Sequence, residues 1–111
     1  MKKTNIPTTL ANLTEHWSQR IVAQANGQLF KVAKGIGETN WHKHDDQDEL
    51  FFIQKGQLKI DFRDGHVILN PGDIFVVSKG VEHRPVAKHE VEFLIVGSDI
   101  TSTAEGGKPN L

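Results

Sequence analysis

The sequence predicts an all-β sandwich or barrel, and three observations carry that expectation. Turn signals recur at short intervals: Asn26-Gly27, Lys55-Gly56, Asp64-Gly65, Asn70-Pro71-Gly72-Asp73 and Lys79-Gly80. The runs between them are rich in β-branched and aromatic residues, as strands are. Residues 57–63 alternate cleanly, with Leu58, Ile60 and Phe62 on one face and Lys59, Asp61 and Arg63 on the other, the pattern of a strand with one buried side. At 111 residues the chain has room for one domain.

Residues 1–19 read as a partly irregular N-terminal segment, in which residues 1–12 are expected to be poorly ordered or to exchange as a strand with a second copy. Thr14 is placed to cap a single helical turn through Trp17. The folded domain is expected over 20–100. It begins with the hairpin IVAQA-NG-QLFKV, whose Asn-Gly pair supplies the positive φ angles of a two-residue turn, and QLKIDFR-DG-HVIL is a second hairpin of the same kind. LFFI at 50–53 and VEFLIV at 91–96 are apolar on both faces, which a sheet with one wet side does not require. Their outer faces need a cover. A partner subunit in a homodimer is the leading candidate, and the N-terminal segment of the same chain is the alternative. Residues 101–111, TSTAEGGKPNL, have the composition of a flexible tail.

With 13 basic and 14 acidic residues the formal charge is −1, so neither nucleic acid nor an anionic membrane is an expected partner. No apolar run approaches the roughly 20 residues that span a bilayer, and the first residues do not read as a signal peptide, so the expected location is cytoplasmic. There is no cysteine, which excludes disulfides and thiolate chemistry and restricts metal ligands to His, Asp and Glu. There is no tyrosine, which excludes a phenolic acid or base.

The residues that carry chemistry lie in WHKHDDQDELFFIQKG, residues 41–56. On a strand His42 and His44 point the same way, while Trp41 and Lys43 point to the other side. Glu49 opens the next apolar strand on the face of Phe51 and Ile53, where a carboxylate carries a desolvation cost unless a cation offsets it. Taken alone, two histidines and a glutamate fit either a metal site or a wet strand edge. A third element, PGDIFVVSKGVEH at 71–83, adds His83 behind two glycine turns.

On these residues the chain resembles the cupins. Their first motif, G(X)5HXH(X)3-4E(X)6G, is met by His42, His44, Glu49 and Gly56, with four rather than five residues between Gly37 and His42. Their second, G(X)5PXG(X)2H(X)3N, is met by Gly72, Gly80 and His83, with Ser78 at the usual proline and Ala87 at the usual asparagine. The small single-domain cupins labelled mannose-6-phosphate-isomerase-like are the most similar group. The resemblance implies a double-stranded β-helix, or jelly roll, of two antiparallel sheets. It also implies that His42, His44, Glu49 and His83 hold one divalent metal ion in the barrel mouth. Nitrogen and oxygen donors suit iron, manganese, nickel, cobalt or zinc.

Asp45, Asp46 and Asp48 are expected to form a solvated acidic loop, with a supporting role beside the imidazoles as the alternative. His16, His66 and His89 are expected at the surface. Arg84 should point away from His83, Trp41 should serve packing or a subunit contact, and Phe51 and Ile53 fit pocket lining and plain core equally. Two function classes follow from the resemblance: a metal-dependent enzyme on a small molecule, with dioxygenase or isomerase chemistry, and a non-catalytic module binding a sugar or other small ligand. The absent tyrosine and cysteine argue against sugar-nucleotide epimerases that use a His–Tyr pair and thiol dioxygenases that use a Cys–Tyr crosslink.

Overall fold

The alternating patterns become seven strands and one short helix among residues 2–99, the residues described by the structure, a computed structural model. In chain order these are α1 (Ile6–Ala11), β1 (Arg20–Ala25), β2 (Gln28–Glu38), β3 (Glu49–Lys55), β4 (Leu58–Phe62), β5 (Gly65–Leu69), β6 (Ile74–Val77) and β7 (His83–Gly97). The main sheet has the order β1-β2-β7-β3-β6, and the β4–β5 hairpin attaches through β4. Every pairing is antiparallel.

Strand β7 belongs to both sheets of the roll. Its first residues pair with β4, from Phe62 opposite His83 to Lys59 opposite Val86. Its second half lies between β2 and β3, with Lys31 and Phe51 both opposite Ile95. Register breaks between Gly35 and Gly37 and between Ile53 and Lys55 give the strands the bends that carry one sheet over the other. The all-β jelly roll predicted from the sequence is the fold observed. Its core is formed by Phe51, Ile53, Val91, Phe93 and Ile95 facing Leu58, Ile60 and Leu69, all within 3% of full burial. Each such side chain contributes roughly 1.5–3 kcal/mol by leaving water.

Both hairpins form. Asn26 and Gly27 have φ of 52° and 74°, the paired left-handed angles of a type I′ turn. In the second hairpin Phe62 pairs with Gly65, so Arg63 and Asp64 make the turn and the expected Asp64-Gly65 turn is displaced by one residue.

The N-terminal segment departs most from expectation. Residues 6–11 form α1, capped by the Asn5 side chain, which accepts from the Thr8 amide at 2.9 Å. Six residues do not hold a helix in water. Here Leu10 and Leu13 pack on Val32 with Ile6, Val22 and Leu94, so the chain's own N-terminal segment covers part of the outer face of the main sheet. Order in this segment thus comes from tertiary burial, which a local reading does not see. The helical turn expected from Thr14 to Trp17 is an irregular turn instead. The 101–111 tail lies outside the described residues.

Trp17 enters the inner core, packing on Phe93 with ring centroids 6.2 Å apart. Its φ of 67° is a costly conformation for a bulky residue, on the order of 1–3 kcal/mol. The Trp17 amide donates to the Lys34 carbonyl at 2.6 Å and its indole N–H to the Ile36 carbonyl at 3.1 Å, which hold it there. The ring lies against Gly35, where an added Cβ would come within 2.5 Å of it. We expect Gly35→Ala to lose about 1–3 kcal/mol in equilibrium denaturation through overpacking. In a Trp17→Ala background the same substitution should cost much less, and equal losses in the two backgrounds would contradict the contact.

Candidate metal centre

The segment from Thr39 to Asp48 that joins β2 to β3 carries His42 and His44. It is not the strand expected from the sequence, for only His42 pairs, in a single bridge to His83, and the chain bends at Asp45 and Asp46. That bridge is complete: the His42 amide donates to the His83 carbonyl at 3.0 Å and the His83 amide to the His42 carbonyl at 2.9 Å. Further along, the Gly80 amide donates to the His44 carbonyl at 2.7 Å and the Lys79 amide to Asp48 Oδ1 at 2.9 Å. The two segments that carry the candidate donors are therefore stitched together, mostly by their backbones. Glu49 opens β3 and, in its burial alternation, faces inward with Phe51 and Ile53.

One donor atom from each of His42, His44, Glu49 and His83 lies within 4.8 Å of all the others, so these four could hold a metal ion. Nε2 of His83 is 3.2 Å from Glu49 Oε1, and Nε2 of His44 is 3.4 Å from Glu49 Oε2. Two donors each ~2.1 Å from one ion stand roughly 3.0–3.4 Å apart at octahedral or tetrahedral angles, so these spacings suit neighbouring ligands.

The outer nitrogens fix which inner nitrogen is available. Nδ1 of His42 is 2.7 Å from the Asn40 carbonyl, and Nδ1 of His83 is 2.9 Å from the Val81 carbonyl. A carbonyl only accepts, so each Nδ1 carries the proton and the Nε2 lone pair turns inward. Nε2 of His44 is buried without a hydrogen-bond partner among the described residues, its approach to Glu49 being too poorly aligned for one. A buried nitrogen left in that state is costly, and a cation supplies the missing partner. Burial pushes the pKa of His42 below the usual histidine range, the Asn40 carbonyl opposes this, and the neighbouring His83 and His44 lower it further. His42 is accordingly in its neutral, metal-competent form at neutral pH.

The other sequence expectations resolve plainly. Asp45 and Asp48 are exposed, one paired with Lys43 at 3.3 Å and the other capping the Lys79 amide, and Asp46 is exposed as well, as a solvated acidic loop should be. Phe51 and Ile53 are core. Arg84 points away from the cluster, donating to Asp61 at 3.0 Å, and Trp41 stacks under Arg63 and Arg84 at 3.9 and 5.2 Å. His16, His66 and His89 are exposed, with His16 paired to Glu90 at 2.8 Å. Two buried polar residues near the cluster were not foreseen, Lys31 and Gln47. A signal for Lys31 existed: it is the lone charge inside the apolar run LFKVA.

A model of the cupin domain matches residues 28–97. The chain belongs to the cupin family. This cupin is 41% identical to a cupin-2 domain containing protein from Shewanella frigidimarina, a crystal structure that superposes with a TM-score of 0.81 over 84% of this chain and 91% of the other. It is 29% identical to protein NMB1881 from Neisseria meningitidis, with a TM-score of 0.78 over 86% of this chain and 98% of that one. Among curated proteins it is 32% identical to the uncharacterized protein YdbB of Bacillus subtilis over 84 residues, covering 75% of this cupin and 74% of YdbB.

The depressed pKa of His42 has a consequence for the metal-free chain. The unfolded state takes up a proton near pH 6.5 while the folded state resists it, so His42's contribution is intact above that pH and is lost as pH falls through the folded value. Denaturation at pH 7.5 and 5.5 should show lower stability in acid, and His42→Asn should flatten part of that slope. An identical slope in both chains would count against it.

Proposed function

We propose that this cupin is a cytoplasmic protein that holds one divalent metal ion at His42, His44, Glu49 and His83 and acts there on a small molecule. The convergence of four donors within 4.8 Å, two of the imidazoles already oriented by backbone carbonyls, carries the proposal. Iron, manganese, nickel, cobalt and zinc all suit this donor set. When bound, such an ion supplies Lewis-acid polarisation or, if redox-active, electron transfer. The protein's own part is to fix the ligand orientation through the Asn40 and Val81 carbonyls and to keep Glu49 and His83, 2% and 1% exposed, away from competing water. Metal-dependent isomerase or dioxygenase chemistry is the activity class that this supports.

A second possibility is a non-catalytic module that binds a small ligand without turnover. One observation favours it: the buried polar side chains beside the ligands, Lys31 and Gln47, both reach the backbone of Asp99 rather than an open space.

Elemental analysis decides the metal assignment. Purified protein is expected to carry close to one first-row divalent ion per chain, and Glu49→Ala and His83→Ala to carry little. At a hundredfold excess over Kd the ion should add about 2.7 kcal/mol, which for a domain of this size raises Tm by roughly 10–20 °C. A chain purified without metal, whose Tm ignores added iron, manganese, nickel and zinc, would refute the assignment. Oxygen uptake and product formation across diketones, phenols and organic acids then separate enzyme from module.

We further propose that the chain is a homodimer. On the outer face of the main sheet α1 covers Val32 and Leu94, but the far side is left with half-buried Leu50, Phe52 and Val96 beside Ile74, 63% exposed, and Val76, 46% exposed. These residues lie on β3, β7 and the edge strand β6, a continuous apolar strip of the kind that a second copy covers. Sedimentation should give twice the chain mass, and Ile74→Lys with Val76→Lys should give the monomer. A wild type that sediments as a monomer at high micromolar concentration would rule the dimer out.

A further inference from the structure

Where β7 crosses from one sheet to the other, it bulges out of its ladder with β2. Ala87 is opposite Gly37 and Val91 is opposite Gly35, so Lys88, His89 and Glu90 together stand against Ile36 alone. All three are exposed. Bulged residues leave the alternation of a strand and have their side chains re-aimed. Glu90 is taken up by His16 at 2.8 Å, whereas Lys88 lines a cleft of about 470 Å³. Small-molecule sites measure roughly 300–1,000 Å³.

The floor of this cleft is a row of side chains across four strands. On β4 Leu58 and Ile60 enter the core, so Lys59 between them points outward. Lys59 is opposite Ile68 on β5 and Val86 on β7, and Val86 is opposite Glu38 on β2, which sets all four on one outer face. The core layer of Leu58 and Ile60 separates them from the barrel interior. Gly37 also lines the cleft, and a Cβ added there would meet nothing within 4 Å, so this wall is open backbone.

The charges of the cleft do not cancel. Glu38 pairs with Arg84 at 3.5 Å and Lys59 with Asp61 at 3.3 Å, but Lys88 has no ion pair and no hydrogen bond among the described residues. Beside these charges Ile68 is 40% exposed. One uncommitted ammonium next to an apolar floor complements a molecule with one negative group and an apolar body. A second negative charge would meet Glu38.

We propose that this cleft is a second binding site, on the outside of the roll, for a small amphipathic monocarboxylate whose apolar body lies on Ile68 and Val86 and whose carboxylate meets Lys88. The site does not depend on the metal assignment above, because its residues and those four donors lie on opposite sides of the sheet.

The test follows the backbone amides of the 15N-labelled full chain by NMR, with and without one equivalent of zinc. The probes are hexanoate, its neutral isostere hexanamide, and acetate, which lacks the apolar body. Hexanoate should shift the amides of Lys59, Ile68, Val86 and Lys88 equally in both metal states and bind roughly threefold to fivefold more tightly than hexanamide. Acetate should leave those amides unmoved. Lys88→Gln should lower hexanoate to the affinity of hexanamide, and Ile68→Ser should weaken both by about fivefold. Each replaces an exposed residue, and amide spectra unchanged away from the cleft establish that the variants fold; the shift map of the wild type stands without them. No response up to the solubility limit, shifts confined to the barrel mouth or to the apolar strip on β3 and β6, or equal affinity for hexanoate and hexanamide overturns the proposal. So does a Lys88→Gln chain that binds hexanoate as the wild type does. Absence of bound metal overturns the metal assignment and leaves these expectations unchanged.

Discussion

Strand β7 is the constraint on which the rest of the molecule depends. Its 15 residues pair with β2, β3 and β4, so it is an interior strand of both sheets. It begins at His83, one of the four candidate metal donors, and supplies Ala87, Val91, Phe93 and Ile95 to the core. Because the strand bends between its two halves, His83 at its start and Gly97 at its end come to the same end of the roll. Trp17 closes the other end against Gly35, which pairs with Val91, six residues or roughly 20 Å of strand from Gly97. Gly97 itself sits where a Cβ would strike the Gln47 side chain.

The metal cluster inherits its geometry from this frame through backbone contacts. His42 and His83 exchange two hydrogen bonds, and each ring is held by the carbonyl two residues earlier in its own segment. Both imidazoles are thus aimed from behind, and the side-chain freedom that a site on irregular segments would otherwise lose on binding is already spent in folding. On the other face Arg84, which lies over the Trp41 ring, pairs with Asp61 of β4, which also pairs with Lys59. Burial pushes the Asp61 carboxyl up, but hydrogen bonds from Arg84 and Lys59 outweigh it and hold the group below the ordinary carboxylate range. Arg84 and His83 therefore divide one strand between a structural face and a chemical face.

Much of this was legible because it is periodic or locally spaced. Leu58, Ile60 and Phe62 announced their face, Asn26-Gly27 its turn, and the four candidate donors their spacing in two motifs. Less legible were the features made by contacts between distant segments. The Asn5 cap and Pro7 are local start signals for residues 6–11, but six residues stay helical only because Leu10 has Val32 and Leu94 to bury against. Trp17 gave no sign that it would plug the core, since the matching absence is at Gly35, eighteen positions away. The second hairpin slipped by one residue because pairing of Phe62 with Gly65 is set by the strands, and the dipeptide Asp64-Gly65 only permits it.

By itself the sequence determined the fold class and the inward faces of the strands, and its resemblance to the cupin motifs pointed to four candidate donor residues, because alternation and motif spacing are properties of neighbours along the chain. The tertiary structure decided that those donors meet, that His44 is left with an unsatisfied nitrogen, and that Lys31 lies in the same interior as Glu49. Each of these is a fact about segments brought together by β7. Distance in space, burial and the charge balance of an interior exist only once such a strand has paired with its partners.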